Sequence, residues 1–425
     1  PPNAWLHSNL LFLLHHLPDI SAIDVREEYR HWGRIHAPIQ LATSKHENDP
    51  DPDRQLRIGY LSSDFHRHSV AYTFEALLDG RREGQAKLYA YGSVCCPDDV
   101  TARFKQKFDL YRDVYREDDR AVARLIEQDR IDILVAVAGH TWEHRLTVLA
   151  YKPAPIQVNF GWVNTLGIEQ VDYLLTDDLL TPPESQSSYR EKLIHLPGSS
   201  LCYAPSAAAP AGASLPAGRN GFVTFGSFNK RLKINHRVVS LWTRVLHAVP
   251  GSRLVLKFKR GEEDGIKTAL LSQFKAEGVG AERIDILGYR SPEEHFQLYH
   301  QIDIALDTTP FNGCVTTLES LWMGVPVISL QGEAIISRIG LTLLKRVGLD
   351  YFAAVSPDDY VKKAIALAQN LGALEKIRMS LRTRMMASSL LDAARFADEL
   401  DKGYREMWRQ WCYAPRKTPS KGLPV

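Results

Sequence analysis

Ile302-Asp303-Ile304-Ala305-Leu306-Asp307 runs directly into Thr308-Thr309-Pro310-Phe311-Asn312-Gly313-Cys314-Val315-Thr316-Thr317-Leu318-Glu319. The first six residues are a short apolar run suited to a strand buried on both faces. Asn312-Gly313 permits a left-handed turn, and the residues through Met323 then start a helix. Strand, tight loop and helix in that order form the unit of a parallel sheet with crossover helices. In such sheets ligands bind beyond the carboxyl ends of the strands, where helix N-termini carry free N–H groups. Here those groups would face a diphosphate, with the Thr316 and Thr317 hydroxyls as further donors and Glu319 accepting from ribose hydroxyls. The same residues also suit an ordinary helix N-cap.

The unit recurs on both sides of this loop. Upstream in the same half, 222–228, 254–258 and 284–287 read as strands, and 326–330 follows downstream. An earlier block repeats the rhythm at 56–61, 87–91, 131–137, 156–160 and 171–176. Between the blocks, Ala207-Ala208-Ala209-Pro210-Ala211-Gly212-Ala213-Ser214-Leu215-Pro216-Ala217-Gly218 is too small and too rich in Pro and Gly to build a core. At 425 residues the chain suits two α/β domains with a cleft between them. The division predicted is a helical segment at 1–50, a first Rossmann-like domain at 51–205, a linker at 206–218, a second Rossmann-like domain at 219–390, and a C-terminal helix and tail at 391–425. Phe396, Leu400, Tyr404, Met407 and Trp408 at helical spacing mark that last helix, with a loose tail beyond Pro415.

Other strand ends carry candidate chemistry. After the strand at 222–228 comes Asn229-Lys230-Arg231-Leu232-Lys233, three cations in four residues. They suit a pyrophosphate leaving group, because charge that accumulates on departure needs fixed positive charge nearby. Lys233 is the preferred electrophilic stabiliser, and a solvated basic turn is the alternative. In the first block Ser62-Ser63-Asp64-Phe65-His66-Arg67-His68 follows the first strand, and Gly139-His140-Thr141 follows the third. His68 and His140 would project toward the cleft as acid, base or acceptor-binding groups, and Asp64 is a third candidate, with helix capping as its ordinary role.

Composition narrows the classes. The net charge of +2 gives no sign of a duplex nucleic-acid partner, and no segment approaches the roughly 20 apolar residues of a membrane span. Five cysteines, two adjacent at Cys95 and Cys96, make neither a disulfide framework nor a zinc pattern and indicate a reducing cytoplasm. A Walker A sequence, H-E-x-x-H, G-x-S-x-G and an early G-x-G-x-x-G are all missing, so P-loop phosphoryl transfer, zinc hydrolysis and standard NAD chemistry lose ground.

In combination these segments resemble the bacterial O-linked N-acetylglucosamine transferase family, related to the SPINDLY proteins, over residues 5–411. The resemblance rests on Leu56 through Phe65 with His68, Asp132-Ile133-Leu134-Val135 leading to Gly139-His140-Thr141, and Lys152-Pro153-Ala154-Pro155-Ile156-Gln157-Val158. It continues through Phe225-Gly226-Ser227-Phe228-Asn229 with Lys233, Ser291-Pro292-Glu293-Glu294-His295, and Phe311-Asn312-Gly313 to Trp322-Met323-Gly324-Val325-Pro326.

The resemblance implies a GT-B fold, a UDP-sugar co-substrate held by the second domain, and inverting transfer to a protein or peptide hydroxyl without a metal or other cofactor. It implies Lys233 on the phosphates, His295 near uracil, Thr316 and Thr317 at the diphosphate, Glu319 at ribose and His68 in catalysis. Asn229, Lys230, Asn312, Gly313, Cys314 and Val315 complete the expected donor site. Two departures bear on specificity: Phe160-Gly161-Trp162-Val163-Asn164-Thr165-Leu166-Gly167 lacks a proline usual in that loop, and Cys314 and Val315 stand where threonines are usual. They leave open another donor, such as GDP-fucose or a UDP-hexose, and a nucleotide-binding pseudoenzyme or scaffold. Residues 5–45 resemble helices that join a tetratricopeptide array to such a core, and the start at Pro1-Pro2-Asn3 reads as a cut from a longer protein.

Overall fold

The short apolar runs form two parallel sheets in a computed structural model that describes residues 3–43, 45–82, 84–141, 143–160 and 163–414. The first sheet contains β1 (Leu56–Ser62), β2 (Ala86–Gly92), β3 (Leu110–Asp113), β4 (Ile133–Ala136), β5 (Ile156–Asn159), β6 (Tyr173–Thr176) and β7 (Lys192–His195), in the order β3-β2-β1-β4-β5-β6-β7. The second contains β8 (Thr224–Ser227), β9 (Arg253–Lys257), β10 (Ile284–Leu287), β11 (Ile304–Leu306), β12 (Val327–Leu330) and β13 (Ala353–Ala354), in the order β10-β9-β8-β11-β12-β13. β3, β7 and β13 are additions to the sequence reading. They are short and lie at sheet edges, and β3 and β7 are only partly buried, so none shows as a sustained apolar run.

The direction of winding reverses between β1 and β4 in one sheet and between β8 and β11 in the other. Loops on either side of such a switch point diverge to opposite faces and leave a crevice at the strand ends. All four loops singled out from sequence leave these four strands.

The helical segment is two helices, α1 (Ala4–Leu14) and α2 (Ala22–His36), separated around Pro18. They are built into the molecule. Leu11, Val25, Tyr29 and Trp32 share one core with Leu61, Leu134, Leu166 and Ile168 of the first domain. Gly33 of α2 passes so close to the loop after β5 that a Cβ there would lie 1.8 Å from the Gly167 carbonyl oxygen. On the other side, Arg237 of the second domain donates to the Pro18 carbonyl at 3.1 Å and pairs with Asp19.

The linker is pinned as well. Arg378 donates to the Ala213 carbonyl at 2.8 Å and Arg382 to that of Pro210 at 2.6 Å, while Leu215 and Ala217 are buried in the core of the second domain, so the stretch is fastened through its backbone and its few apolar side chains, contrary to the reading that it builds no core. The final helix, Ala393–Tyr413, crosses back to the first sheet, where Phe396, Leu400, Tyr404, Met407 and Trp408 join the core of Tyr60, Phe65 and Phe74. The tail expected beyond Pro415 lies outside the described residues, as do Gly161 and Trp162.

Replacing Gly33 by Ala forces α2 and the loop at Gly167 apart. Overpacking of this kind costs about 1–3 kcal/mol, and urea unfolding should show that loss. A midpoint equal to the parent's would mean the close approach is not a constraint.

Candidate functional site

The loop after β11 is organised from beneath by Asp307, at the carboxyl end of that strand. Its Oδ1 accepts the Gly313 N–H at 2.7 Å and the Thr308 N–H at 2.8 Å, and its Oδ2 accepts the Ser329 hydroxyl at 2.7 Å. Burial raises its pKa to about 6, against these hydrogen bonds and nearby Lys233, which act to lower it. The Gly313 N–H is therefore already committed and is not a free phosphate donor. Gly313 also does not adopt a left-handed conformation, contrary to the turn expected from Asn312-Gly313. Glycine is needed for space: a Cβ would lie 2.5 Å from Thr316 Oγ1 and 2.9 Å from Thr317 Oγ1.

The helix that follows is Val315–Trp322, and the N–H groups of its first turn have no partners inside the helix. Cys314 is the N-cap residue but makes no side-chain cap, and burial holds its thiol up at about 11, so it brings no negative charge to the helix end. Thr316 donates to Asn229 Oδ1 at 3.2 Å, joining the loops after β8 and β11. Thr317 turns inward and donates to the Gly313 carbonyl at 3.1 Å. Asn312 is fully buried, with its amide donating to the Thr308 carbonyl at 2.9 Å. It holds the loop's shape, and its own carbonyl faces Lys233.

Lys233 donates to that Asn312 carbonyl at 2.6 Å, and its ammonium lies 3.9 Å from the centre of the Phe311 ring. Burial lowers its pKa to about 8, with Lys230 adding to the shift and Asp307 opposing it. The cation is thus held by one carbonyl and one ring face, without a bonded carboxylate. Such a group is ready to exchange partners for an anion.

On the outer side of the helix, His295 Nε2 lies 3.0 Å from Glu319 Oε2, and His295 Nδ1 lies 3.2 Å from Lys257 Nζ. The Tyr299 hydroxyl donates to the same Glu319 oxygen at 3.3 Å. His295 packs against Phe228 with ring centroids 5.7 Å apart. Together they form an aromatic wall with hydrogen-bonding groups, the kind of surface that takes a planar base and its sugar.

Across the cleft, Asp64 is buried with Oδ2 unpartnered by any hydrogen bond, and His68 Nδ1 lies 3.6 Å from that oxygen. Burial raises the Asp64 pKa to about 7, whereas burial first and then the charge of Lys230 lower that of His68 to about 4. Lys230 of the second domain thus acts on both groups of the first. His68 Nδ1 also accepts the Val70 N–H at 3.4 Å as the N-cap of helix Ser69–Gly80. In the tautomer that keeps this cap, the proton is on Nε2.

His140 stands apart from this group. It is buried within the first domain, with Nδ1 2.9 Å from Ser8 Oγ and Nε2 3.0 Å from the Leu166 carbonyl, and its ring packs edge-on against Tyr29 and Trp32. One nitrogen docks α1 and the other holds the loop after β5, so it does not project into the cleft as expected from its strand end. The altered loop is anchored within the first domain in its described part: Thr165 donates to buried Glu191 at 2.7 Å, and the Leu166 N–H donates to it at 2.9 Å.

Asp307, Lys257 and Tyr299 escaped the sequence reading. Asp307 was legible as a carboxylate ending a buried strand; Lys257 and Tyr299 come from other units and meet the site only on folding. Among the described residues no group of three or more His, Cys, Asp or Glu is placed to hold a metal ion, and no helix is long and apolar enough to cross a membrane.

A family model described as glycosyl transferase family 41 matches residues 3–202 and 214–400. A protein of Petunia hybrida named "Probable UDP-N-acetylglucosamine--peptide N-acetylglucosaminyltransferase SPINDLY" is 39% identical over 97% of this chain, which spans 45% of that protein's length. The Arabidopsis thaliana protein of the same name is 40% identical over 91% of the chain and 43% of its own length. Among solved structures, a mutant of Thermobaculum terrenum O-GlcNAc transferase superposes with a TM-score of 0.91 at 34% identity, covering 97% of this chain and 79% of that one. The two facing Rossmann-like domains are the GT-B arrangement.

Asp307→Asn keeps the shape that accepts Gly313 and Thr308 but removes the ionisation. A carboxyl with a raised folded pKa stabilises the fold fully below its unfolded value, near 3.8, and loses that contribution as pH rises through about 6. Denaturation midpoints between pH 4 and 6 should therefore fall with pH less steeply in the variant than in the parent; equal slopes would remove Asp307 as a source.

Proposed function

The chain belongs to glycosyl transferase family 41, and from that premise we propose that it moves N-acetylglucosamine from UDP-N-acetylglucosamine to serine or threonine hydroxyls of proteins. Transfer inverts the anomeric centre and needs no metal ion. The observation that carries this is the meeting of Lys233, the first-turn N–H groups of helix Val315–Trp322 and Thr316 at the end of β11.

In the reaction the acceptor oxygen bonds to the anomeric carbon, the bond from that carbon to the β-phosphate oxygen breaks, and UDP leaves with the electron pair. The negative charge that grows on UDP is where fixed donors lower the barrier most. Lys233 exchanges the Asn312 carbonyl for phosphate oxygen, and the helix terminus supplies N–H groups and the positive end of its dipole. Lys230 and Arg231 add positive charge and Thr316 a hydroxyl donor, in the part a divalent ion plays in other transferases. Cys314 and Val315 contribute backbone N–H groups alone. The aromatic wall of His295, Tyr299 and Phe228 takes uracil, and Glu319 takes ribose.

The acceptor proton goes to the first domain. Asp64, with a pKa of about 7 and an unbonded oxygen, is better matched to accept it near neutral pH than His68, whose value is about 4. His68, with its proton on Nε2, then positions the acceptor. The reading sets the enzyme in the cytoplasm, where its cysteines, none of them in a disulfide, stay reduced, with a protein acceptor and no nucleic-acid partner.

Calorimetry should show UDP binding with or without EDTA; binding of GDP in preference to UDP would overturn the donor. Lys233→Ala should cut kcat by about 100-fold or more while UDP affinity changes far less, because the lysine acts on charge that develops at the transition state. Equal losses in both would make it a general binder. Asp64→Asn should abolish the acidic limb of the kcat/KM profile and reduce turnover about 100-fold or more, with UDP binding retained; an unaltered profile would return the base role to His68 or to a substrate phosphate.

A further inference from the structure

Cys95 and Cys96 stand on the loop after β2, at the carboxyl end of the first sheet, and both are exposed. Free cysteine is among the most buried of residue types, and its reactivity rather than its packing decides where it is kept. An exposed bend needs no sulfur, since serine suits it as well. In an extended chain adjacent side chains point to opposite sides. Here the chain bends at both residues, and the two Sγ atoms lie 3.5 Å apart in a thiol–thiol hydrogen bond. That bond and the charge of Cys95 raise the pKa of Cys96, so a thiolate at Cys95 keeps a protonated thiol beside it. A thiolate in contact with a second thiol is the arrangement that two successive thiol–disulfide exchanges require.

The same loop is tied at two points to the loop that carries Asp64 and His68. The Ser93 N–H donates to the Ser62 carbonyl at 2.9 Å, and Asp98 Oδ2 accepts the Arg67 N–H at 2.8 Å. Asp64 lies between those ties on one loop, with His68 just past the second, and the thiols lie between them on the other. Asp98 Oδ1 meanwhile accepts the Thr101 N–H at 3.0 Å as the N-cap of helix Asp99–Lys107. Pro97, whose φ is fixed, is the one residue between Cys96 and Asp98. A change of backbone direction at Cys96 is therefore delivered to Asp98 with little slack.

We propose that Cys95 and Cys96 are a redox modification site: a low-molecular-weight disulfide converts them to a disulfide between adjacent residues, which draws Asp98 off the Arg67 N–H and slows the reaction at Asp64 and His68. In the first exchange the Cys95 thiolate attacks one sulfur of the small disulfide, and one small thiolate leaves and takes up a proton. In the second, Cys96 gives up its proton and attacks the Cys95 sulfur, and the other small thiol is released. Two electrons pass from the protein to the reagent, which ends as two thiols. Adjacent Cα atoms stay about 3.8 Å apart across a trans peptide, closer than a disulfide usually spans, so the ring closes by backbone rotation and is readily reduced again. The modification stands on the geometry of the loop alone, and its effect on turnover rests on the transferase reading of the cleft.

The test treats the parent, Cys96→Ser, a double variant with Cys95→Ser and Cys96→Ser, and Asp98→Asn with glutathione disulfide. Free thiols are then blocked before digestion and mass spectrometry. In the parent the peptide over 95–96 should be unblocked and lighter by two hydrogen atoms, and dithiothreitol should reverse this; Cys96→Ser should stop with glutathione attached at Cys95. Turnover of the oxidised parent should fall about tenfold or more, as a displaced catalytic loop entails, with UDP affinity by calorimetry unchanged and full recovery on reduction. Amide exchange over 62–68 should quicken, because the Arg67 N–H loses its acceptor. The double variant should match the reduced parent and not respond. Asp98→Asn keeps one oxygen for the Thr101 cap and gives up the other, so it should show the turnover of the oxidised parent before any treatment and no further fall after it. A glutathione adduct that persists on the parent would overturn the proposal, as would a Cys95–Cys96 disulfide with turnover and exchange unchanged. An equal fall in the double variant would overturn it by moving the effect to Cys202, Cys314 or Cys412. A reduced parent without transferase turnover would instead remove the reading of the cleft, while the disulfide and the exchange over 62–68 would be decided by their own readouts.

Discussion

The buried carboxylate of Asp307 is the constraint from which the geometry of the loop after β11 follows. Two backbone N–H groups and one hydroxyl converge on it, and they fix where the chain leaves β11, how tightly it turns at Gly313 and where the next helix begins. The helix terminus, Thr316 and the carbonyl that holds Lys233 inherit their positions from that arrangement. Because the carboxyl is buried, it does this work against a desolvation cost, which its hydrogen bonds and the neighbouring lysine offset in part.

The cleft is assembled from three parts of the chain. The second domain brings cations and a helix terminus, the first brings Asp64 and His68, and α1 brings the rings that lean on Phe311. Lys230 and Lys233 are the charges that reach across these borders, since each affects the titration of groups on another segment. Binding an anion at the lysines would therefore be felt on both opposing walls through electrostatics alone.

How much of this was legible beforehand depended on whether an element speaks through its own residues. The doubly wound pattern, the two switch-point loops of each domain and most of the residues proposed to hold the donor lie in continuous stretches, where an apolar run followed by a turn and a helix start is a local signal. His140 occupied the same kind of position as Asp64 and His68, yet Ser8 and the Leu166 carbonyl claim its nitrogens. Those partners lie 132 and 26 residues away, so no local pattern announces them. Gly313 was rightly a glycine but for a reason of crowding rather than handedness, a distinction set by side chains that fold against it. Likewise, the helical segment resembled a junction to something upstream, and only its packing reveals a wall of the site.

The return of helix Ala393–Tyr413 to the first sheet has a consequence for how the protein is made. The Tyr60 and Tyr404 hydroxyls lie 3.3 Å apart in the finished core but 344 residues apart in the chain. A ribosome delivering the chain from its N-terminus therefore releases the first domain with one face of its hydrophobic core uncovered, and synthesises the entire second domain before the missing helix emerges. The second domain can close as a unit in that interval, while the first waits. Its exposed apolar face over β1 and helix Ser69–Gly80 is the surface a chaperone would have to shield during synthesis.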